Sequence, residues 1–481
     1  MKRGAALLPV GILVVVFGAS RLLYTTRGPG VGGFSFRGGL AAQARAALSG
    51  EKLEAGTLER GMPLLDARLL KQDLWRSLYH LHSQPPLFNL FVAGLLRAPD
   101  FPRTYQFVNW AFALALYLTT YALMRRLGIS AGVALLLTIL FLLSPNATWM
   151  ESAVYYGLPL ALALVLAAFC LDRAAQGQGL SWFGAYCALI AVLPLMRAFF
   201  TLPWCVLAAA FGAAVVWRPV RAGASPAARR LGILLLACAP VLAAAAFQAK
   251  QLLLFGQLTG SSWLGCNLTT MTAGMRAAKQ TELARGKVSP LVNVYRNDTV
   301  EVYRRYFSVS PTGVPALDEA RKTGGEPNFN NAIYLPVGRQ YLKDSLYLIS
   351  RYPHIYLANV ANSVYIFSGY QIGIYFDRPG TFFARWKWYE LAAPLVGFPL
   401  IVWAVATGIR SLRRGSGLSP DRRPTVAFLV ANVIYVALVS CLIEKSEGPV
   451  YRFQVDAFLW ALLGLALTAV LAKRRRPAAA P

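Results

Sequence analysis

The sequence predicts an all-α, polytopic membrane protein of about ten transmembrane helices, with two large extracytoplasmic loops that carry interfacial helices. Hydrophobic residues fill 56% of the 481 positions and charged residues only 14%, whereas a soluble chain needs far more polar surface. Apolar runs near 20 residues recur along the chain, each long enough to cross about 30 Å of hydrocarbon. Such runs must be helices, because lipid offers the backbone no hydrogen-bond partners.

The first apolar run, 5–23, follows the basic start Met1-Lys2-Arg3. It is either a signal peptide with a cleavage site at Gly18-Ala19-Ser20 or a retained anchor, and the many later spans favour the anchor. Nine further spans are predicted, at 104–124, 130–146, 152–171, 180–197, 200–217, 231–255, 388–409, 424–443 and 450–472.

Basic clusters lie at alternate ends of successive spans, so an inside N-terminus makes every cluster cytoplasmic, as the positive-inside rule requires. The clusters are Arg125-Arg126, Arg173, Arg218–Arg230, Arg410–Arg423 and Lys473–Arg476. Both termini are therefore predicted inside. The net charge of +27 is explained by topology, and nucleic-acid binding is not expected.

Two exported loops, 24–103 and 256–387, divide the chain into an N-terminal membrane module (1–255), a large loop (256–387) and C-terminal spans (388–481). The stretch 85–97 is too short to span and opens with two prolines. Counting 353–374 as a span would place the Arg410–Arg423 cluster outside. Both stretches are predicted to lie in the membrane interface as amphipathic helices.

Polar residues gather in the first loop, where 64–81 has the apolar spacing of an amphipathic helix lying on the membrane. Asp66 lies near its start, Asp73 follows, and His82 and Gln84 precede a Pro-Pro pair. A carboxylate here can act as a general base. The alternative is that Asp66 only caps a helix N-terminus.

Further charges sit at the exported ends of spans, where charge is costly and usually functional. Glu151 lies between the third and fourth spans, with a snorkelling interface charge as the alternative. Arg197, in PLMRAFF, has no carboxylate nearby in sequence and should meet one or a ligand phosphate.

The last span begins among Glu444, Lys445, Glu447, Arg452 and Asp456. Arg452 and Asp456 are four residues apart, so an ion pair within one helix is the simple alternative to substrate binding. The six cysteines form no CxxC pair, which argues against structural zinc and a disulfide framework. No dense carboxylate cluster indicates a metal, and a divalent cation stays open.

The order of these features resembles the GT-C superfamily of membrane glycosyltransferases, such as protein O-mannosyltransferases and lipid A aminoarabinose transferases. Its His-Pro-Pro-Leu motif is matched here by His82-Ser83-Gln84-Pro85-Pro86-Leu87, with two residues inserted. MESAVYYGLP, PLMRAFF and PVYRFQVD are similar to the family's motifs at substrate-facing helix ends. The chain departs from the family in having no acidic residue in 24–36, just after the first span.

The resemblance implies transfer of a sugar from a polyprenyl-phosphate donor to an extracytoplasmic lipid, glycan or protein, with inversion at the anomeric carbon. It implies Asp66 as the base, with Asp73 second. The donor phosphate would be bound by His82, Gln84, Arg197 and Arg452. Further substrate contacts are expected from Glu151, Tyr155, Glu447 and Asp456.

The second loop is expected to contribute acceptor binding through aromatic and amide residues, with ordinary packing as the alternative. These residues are Trp263, Asn267, Asn328, Asn330, Tyr334, Trp386 and Trp388. The expected location is a bacterial inner membrane with the site facing the periplasm or exterior. A secondary transporter or lipid flippase is the competing function, although it predicts mid-membrane charges and internal repeats. A non-catalytic envelope partner is the third.

Overall fold

The computed structural model describes residues 4–26, 64–152, 154–221, 227–369, 387–413, 418–445 and 447–474. Within these ranges the chain is helical, and β pairing is limited to one isolated bridge between Arg321 and Pro327. Most of the first predicted loop (27–63) and the segment 370–386, with Trp386, lie outside the described residues, as does the side chain of Trp388.

The described residues form twenty α-helices. In chain order they are α1 (Gly4–Thr26), α2 (Ala67–Gln72), α3 (Leu74–Tyr79), α4 (Leu87–Leu95), α5 (Phe101–Arg126), α6 (Ala131–Leu142), α7 (Pro145–Ser152), α8 (Gly157–Ala175), α9 (Leu180–Met196), α10 (Leu202–Arg221), α11 (Ala227–Phe255), α12 (Leu264–Leu268), α13 (Arg276–Ala284), α14 (Val300–Tyr303), α15 (Pro315–Asp318), α16 (Tyr334–Arg351), α17 (Pro353–Ser368), α18 (Lys387–Ser411), α19 (Arg423–Ile443) and α20 (Gly448–Arg474).

Six of these helices are long and apolar enough to cross a bilayer, and four shorter apolar helices accompany them. Each of the ten predicted spans coincides with one of them, which confirms an all-α polytopic membrane protein. Helix α8 is apolar on every side and packs against α5, α9, α19 and α20 at the centre of the bundle. Helix α11 lies at the periphery and exposes leucines such as Leu235 and Leu253, as a lipid-facing helix does.

The third span differs from its predicted bounds of 130–146. Helix α6 ends at Leu142, and its 12 residues cover only about 18 Å. Pro145 then begins the separate short helix α7, since proline suits a first helical position but cannot continue a helix. Glu151 therefore lies on α7 and not on the end of a continuous span.

The bundle has two distinct faces. At one face Arg126 of α5 bonds to the buried Asp172 of α8, and Thr425 of α19 donates to the same carboxylate at 3.3 Å. At the other, which we call the loop face, lie residues 64–100 and 256–369.

The loop face is covered by two segments. The first contains α2, α3 and α4, so the single helix predicted at 64–81 is interrupted at Asp73, whose backbone is non-helical (φ −137°, ψ 47°). The second, 256–369, has its own buried aromatic cluster and ends in α17, which packs against α18, α19 and α20. Its helices α12 and α16 pack so closely that only a glycine fits at position 265. A Cβ there would lie 1.9 Å from the Gly338 carbonyl oxygen.

Candidate functional site

Asp66 links the two segments of the loop face. Its Oδ1 accepts a hydrogen bond from the Arg68 amide at 2.7 Å, which caps α2. Its Oδ2 accepts from the amide and the hydroxyl of Thr323, both at 2.8 Å. Asp73 is half-buried between α2 and α3 and makes no capping bond. The capping role considered for Asp66 is thus present, together with a tether to the second segment.

His82 forms a second link between these segments. Its Nε2 lies 2.9 Å from the Asn330 carbonyl oxygen and its Nδ1 lies 2.7 Å from the Ser262 hydroxyl. Because a carbonyl only accepts, Nε2 carries the hydrogen and Nδ1 accepts from Ser262. Burial lowers the pKa of His82 to about 3. The ring is therefore neutral near pH 7 and both of its nitrogens are bonded to the protein.

Acid should destabilise the fold through His82. The pKa of His82 is about 3 in the folded protein and 6.5 ordinarily. Between these values the unfolded chain binds a proton on His82 that the folded protein does not, so stability decreases as the pH is lowered below 6.5. Each pH unit in that window costs about 1.4 kcal/mol, or about 2 kcal/mol between pH 6.5 and 5. Thermal unfolding in detergent should show a flatter pH dependence for His82→Asn. His80→Asn is the control, and a slope unchanged by His82→Asn would contradict the assignment.

Glu151 is held in a buried ion pair with Arg21 of α1. The Arg21 Nε donates to Glu151 Oε2 at 2.7 Å, and its Nη2 bonds to Oε1. The Tyr117 hydroxyl donates to the same Oε1 at 2.5 Å. The Glu151 backbone carbonyl accepts from Gln106 and Asn109. Glu151 thereby joins α1, α5 and α7, and its carboxylate is bonded on both oxygens.

Arg452 and Asp456 form the ion pair that their spacing suggested. The Arg452 Nε donates to Asp456 Oδ1 at 2.9 Å. Its Nη1 donates to the carbonyls of Phe367 and Gly369 at 2.7 and 3.0 Å. These carbonyls close α17, and a cation is favourable there because helix C-termini carry partial negative charge. Arg452 thus anchors the end of α17 on α20.

Arg197 is buried in an aromatic cage formed by Tyr155, Tyr156, Phe199 and Tyr451. Its guanidinium carbon lies 4.3 Å from the ring centre of Tyr451 and 4.6 Å from that of Tyr156. The other two rings lie 5.7 and 5.8 Å away. Its side-chain Nη1 is buried without a hydrogen-bond partner, and within the described ranges Arg197 forms no ion pair. A buried donor left unbonded carries a desolvation penalty that a ligand can relieve.

A cavity of about 180 Å³ opens beside Arg197 at the loop face. It lies between the α9–α10 turn, the end of α19 and the start of the second segment. Its lining combines a few polar groups with apolar side chains, as ligand pockets do. The lining residues are Gln84, Tyr156, Arg197, Ala198, Phe199, Thr201, Thr259, Ser261, Leu264, Asn267, Val439, Ser440, Ile443, Glu444 and Tyr451.

Two carboxylates belong to this region, and both follow α19. Glu444 lines the cavity and accepts a 2.6 Å bond from Arg296 of the second segment. Glu447 lies within electrostatic reach of Arg197 and the cage tyrosines Tyr155 and Tyr451. Burial raises the pKa of Glu447, and the Glu444 charge raises it further.

The structure brings together only part of the predicted site. Gln84 and Arg197 line the cavity, and Tyr155 belongs to the cage. Glu447 interacts electrostatically with Arg197 and with Tyr155. Of the ten predicted site residues only Gln84 and Arg197 line the cavity. The eight that do not line it are Asp66, Asp73, His82, Glu151, Tyr155, Glu447, Arg452 and Asp456. In the part of the chain that the structure describes, no group of three or more His, Cys, Asp or Glu side chains could hold a metal.

Most of the aromatic and amide residues expected to bind an acceptor have partners within the two loop-face segments. Trp263 and Tyr334 are buried in its aromatic cluster. Asn328 donates to two backbone carbonyls, and the Asn330 side chain accepts from the His82 amide. Asn267 differs, because it lines the cavity.

No model of a known protein family matches the chain, and no curated protein matches it in sequence at a significant level. In structure it is similar to the Archaeoglobus fulgidus oligosaccharyltransferase, crystallised tethered by a disulfide bond to an acceptor peptide containing the NVT sequon. That similarity has a TM-score of 0.39 and 13% sequence identity, and it covers 98% of this chain and 50% of the oligosaccharyltransferase chain. The chain thus spans about half the length of that protein.

Proposed function

We propose that this protein is a membrane glycosyltransferase that moves a sugar from a polyprenyl-phosphate donor to a lipid, glycan or protein acceptor. The loop face would be directed to the periplasm or exterior of a bacterial inner membrane. The observation that carries the proposal is Arg197, a buried guanidinium with an unbonded Nη1 in an aromatic cage at the cavity wall.

An anion is the ligand that Arg197 requires. Aromatic faces contribute about 0.5–2 kcal/mol to a cation, but they do not supply the hydrogen bond that the buried Nη1 lacks. A phosphate oxygen would supply charge-assisted bonds, each worth about 1.5–3 kcal/mol. The rings also exclude water, which strengthens the attraction.

The apolar half of the cavity favours a phosphate that is linked to a lipid. Val439 and Ile443 belong to the membrane helix α19, and Phe199 and Leu264 face the same space. A polyprenyl chain would run along these side chains while its phosphate meets Arg197. A free inorganic phosphate would leave this apolar surface unused.

The proposed reaction is a single displacement at the anomeric carbon. The acceptor hydroxyl oxygen bonds to the anomeric carbon while the bond from that carbon to the phosphate oxygen breaks, and the electron pair leaves with the phosphate. A carboxylate takes the hydroxyl proton. The phosphate gains one negative charge as the sugar departs, and Arg197 stabilises that charge where it develops. A single displacement inverts the anomeric configuration.

The base is proposed among three carboxylates. Asp66 and Asp73 are predicted from sequence, and Glu447 is added because it interacts electrostatically with Arg197. Burial raises the pKa of Glu447, and a more basic carboxylate is a better proton acceptor.

Glu447→Gln is expected to lower transfer by about 100-fold or more, because a general base contributes about 10²–10⁴-fold, while polyprenyl-phosphate binding is retained. The donor and acceptor can be named by comparing envelope glycans and lipids of a deletion strain with the parent strain by mass spectrometry. Transfer is then measured in proteoliposomes. Asp66→Asn, made in parallel, keeps one acceptor oxygen, so it cannot accept from both Arg68 and Thr323. It should lower stability more than the rate per folded molecule.

The reverse pattern, with Asp66→Asn inactive though folded and Glu447→Gln active, would assign the base to Asp66. Vesicles that move the lipid across the bilayer without changing its sugar would support a flippase and reject the transferase. Binding of polyprenyl phosphate but not of polyprenol would confirm that the phosphate is recognised.

A further inference from the structure

The serine and threonine hydroxyls that line the cavity beside Arg197 already use their hydrogens within the protein. Three of them donate to backbone carbonyls, and the fourth donates to the hydroxyl of Tyr435, which itself donates to a backbone carbonyl. They belong to Thr259, Ser261, Ser440 and Thr201. On the side of the second loop-face segment, the side-chain donor left for a ligand among the described lining residues is therefore the amide of Asn267.

Arg296 fixes the direction of this amide. Its Nη1 lies 3.2 Å from Asn267 Oδ1, and because a guanidinium only donates, the atom that faces it must be the oxygen. The other end of the carboxamide, Nδ2, is turned away from Arg296 and has no hydrogen-bond partner among the described residues. Asn267 lines the cavity and Arg296 does not, so the cavity side of the carboxamide is its donor side.

The same guanidinium nitrogen pairs with Glu444, the acidic residue of the cavity lining. Arg296 Nη1 donates to Glu444 Oε2 at 2.6 Å, and the two side chains are 14% and 2% exposed. An unpaired carboxylate at this wall would repel an anion, whereas a paired one presents little net charge. The partners are 148 residues apart in sequence, so this wall forms only when the second segment packs on the bundle.

The cavity is small enough for one ligand group to meet both walls. Its volume of about 180 Å³ is below the ~300–1,000 Å³ of pockets that enclose a whole drug-sized ligand. It therefore suits a single head group, with Arg197 on the wall formed by the bundle and Asn267 on the wall formed by the second segment.

We propose that Asn267 is a second phosphate-binding residue of this cavity and that Arg296 is its positioning residue. Arg296 turns the Asn267 amide so that Nδ2 donates to a phosphate oxygen, and it neutralises Glu444, which lies against the same nitrogen. The inference rests on the proposed function, because it takes the phosphate of polyprenyl phosphate as the ligand. It assigns Asn267 to the donor phosphate and not to the acceptor expected from the sequence.

The test is the preference for polyprenyl phosphate over polyprenol, measured as the two binding affinities of the purified protein in detergent. Asn267→Leu should reduce this preference about tenfold, the loss of one charge-assisted hydrogen bond. Asn267→Asp should reduce it further, because the new carboxylate still accepts from Arg296 but donates nothing and repels the phosphate. If the Asn267 oxygen only anchors the segment, Asn267→Asp keeps the wild-type preference, and that result would overturn the proposal.

Arg296→Met should also reduce the preference about tenfold or more, because it exposes the Glu444 charge and frees the Asn267 amide to turn. Adding Glu444→Gln to it should recover part of the loss, since the charge is removed while the amide stays free. Arg296→Lys should lie between Arg296→Met and wild type. Arg285→Met is the matched control, because Arg285 pairs with the buried Glu282 of the same segment and lies off the cavity lining.

The outcomes separate this inference from the proposed function. A wild-type protein that binds polyprenyl phosphate no better than polyprenol rejects the proposed function and the inference with it. A wild-type preference that Arg197→Met removes, but that the Asn267 and Arg296 variants keep, rejects the inference alone. Equal losses for both lipids show a structural role and also reject it. If Arg296→Met does not fold, the Asn267 variants decide, because they leave the pair of Arg296 with Glu444 in place.

Discussion

Replacing Arg197 by methionine is expected to abolish donor binding and transfer while leaving stability within about 1 kcal/mol of wild type. The lost phosphate bonds are worth about 1.5–3 kcal/mol each, so two of them account for a loss of at least 100-fold. The folded protein itself loses little. The guanidinium makes no ion pair within the described ranges, and its Nη1 is unbonded. The lost cation–π attraction is therefore offset by the removed desolvation penalty.

Arg452→Met is the matched comparison, because Arg452 is buried at the same face but has protein partners. Removing it leaves Asp456 without its cation and should cost about 3–5 kcal/mol. Chemical unfolding in detergent and binding of polyprenyl phosphate, with polyprenol as control, should be measured for both variants. If Arg197→Met binds the phosphate as tightly as wild type, Arg197 is not the anion site. Unchanged binding by folded Arg452→Met would remove Arg452 from the predicted donor site.

The bundle was predictable because the bilayer imposes one strong rule, that a long apolar run must be a helix. Among the described residues, the rule located ten apolar helices, while the orientation inferred from the basic clusters stays a prediction. It did not reveal the break after α6, since Ser144 and Pro145 lie in an apolar context where only backbone geometry separates one helix from two.

The site was less predictable, because a charge in a sequence does not show what it meets. Arg197 was found because an unpaired cation near lipid demands a partner. The same reasoning applied to Asp66 and His82, but both are bonded within the loop-face segments. Arg296 was missed because its partner is 148 residues away. Glu444 could have predicted a basic partner, because a carboxylate at the end of a span also requires a cation.

Arg21 could also have been identified from sequence, because it is a lone charge inside the first apolar run. Its pairing with Glu151 is buried, with side-chain exposures of 7% and 2%. Among the described residues, helix α1 packs mainly against α5 and α6, and this ion pair is a buried polar link from α1 to α7. Glu151 also precedes Tyr155 and Tyr156 of the aromatic cage by four and five residues. The pair should therefore support both the docking of α1 and the shape of the cage.

Breaking this pair from either side is expected to destabilise the protein by about 3–5 kcal/mol, because each single variant leaves a buried charge alone. The variants are Arg21→Met and Glu151→Gln. The double variant should recover most of that loss, since no charge remains and the glutamine oxygen still accepts from Tyr117. Chemical unfolding in detergent closes the double-mutant cycle.

The control cycle uses Arg68 and Glu319, which share a two-bond contact at 2.6 and 2.7 Å but are 40% and 35% exposed. Water screens that pair, so Arg68→Met and Glu319→Gln should each change stability by less than about 1 kcal/mol. Single variants of Arg21 and Glu151 that behaved like this control would show that the buried pair does not hold α1. Transfer should fall in the single variants and return in the double, because the cage tyrosines follow α7.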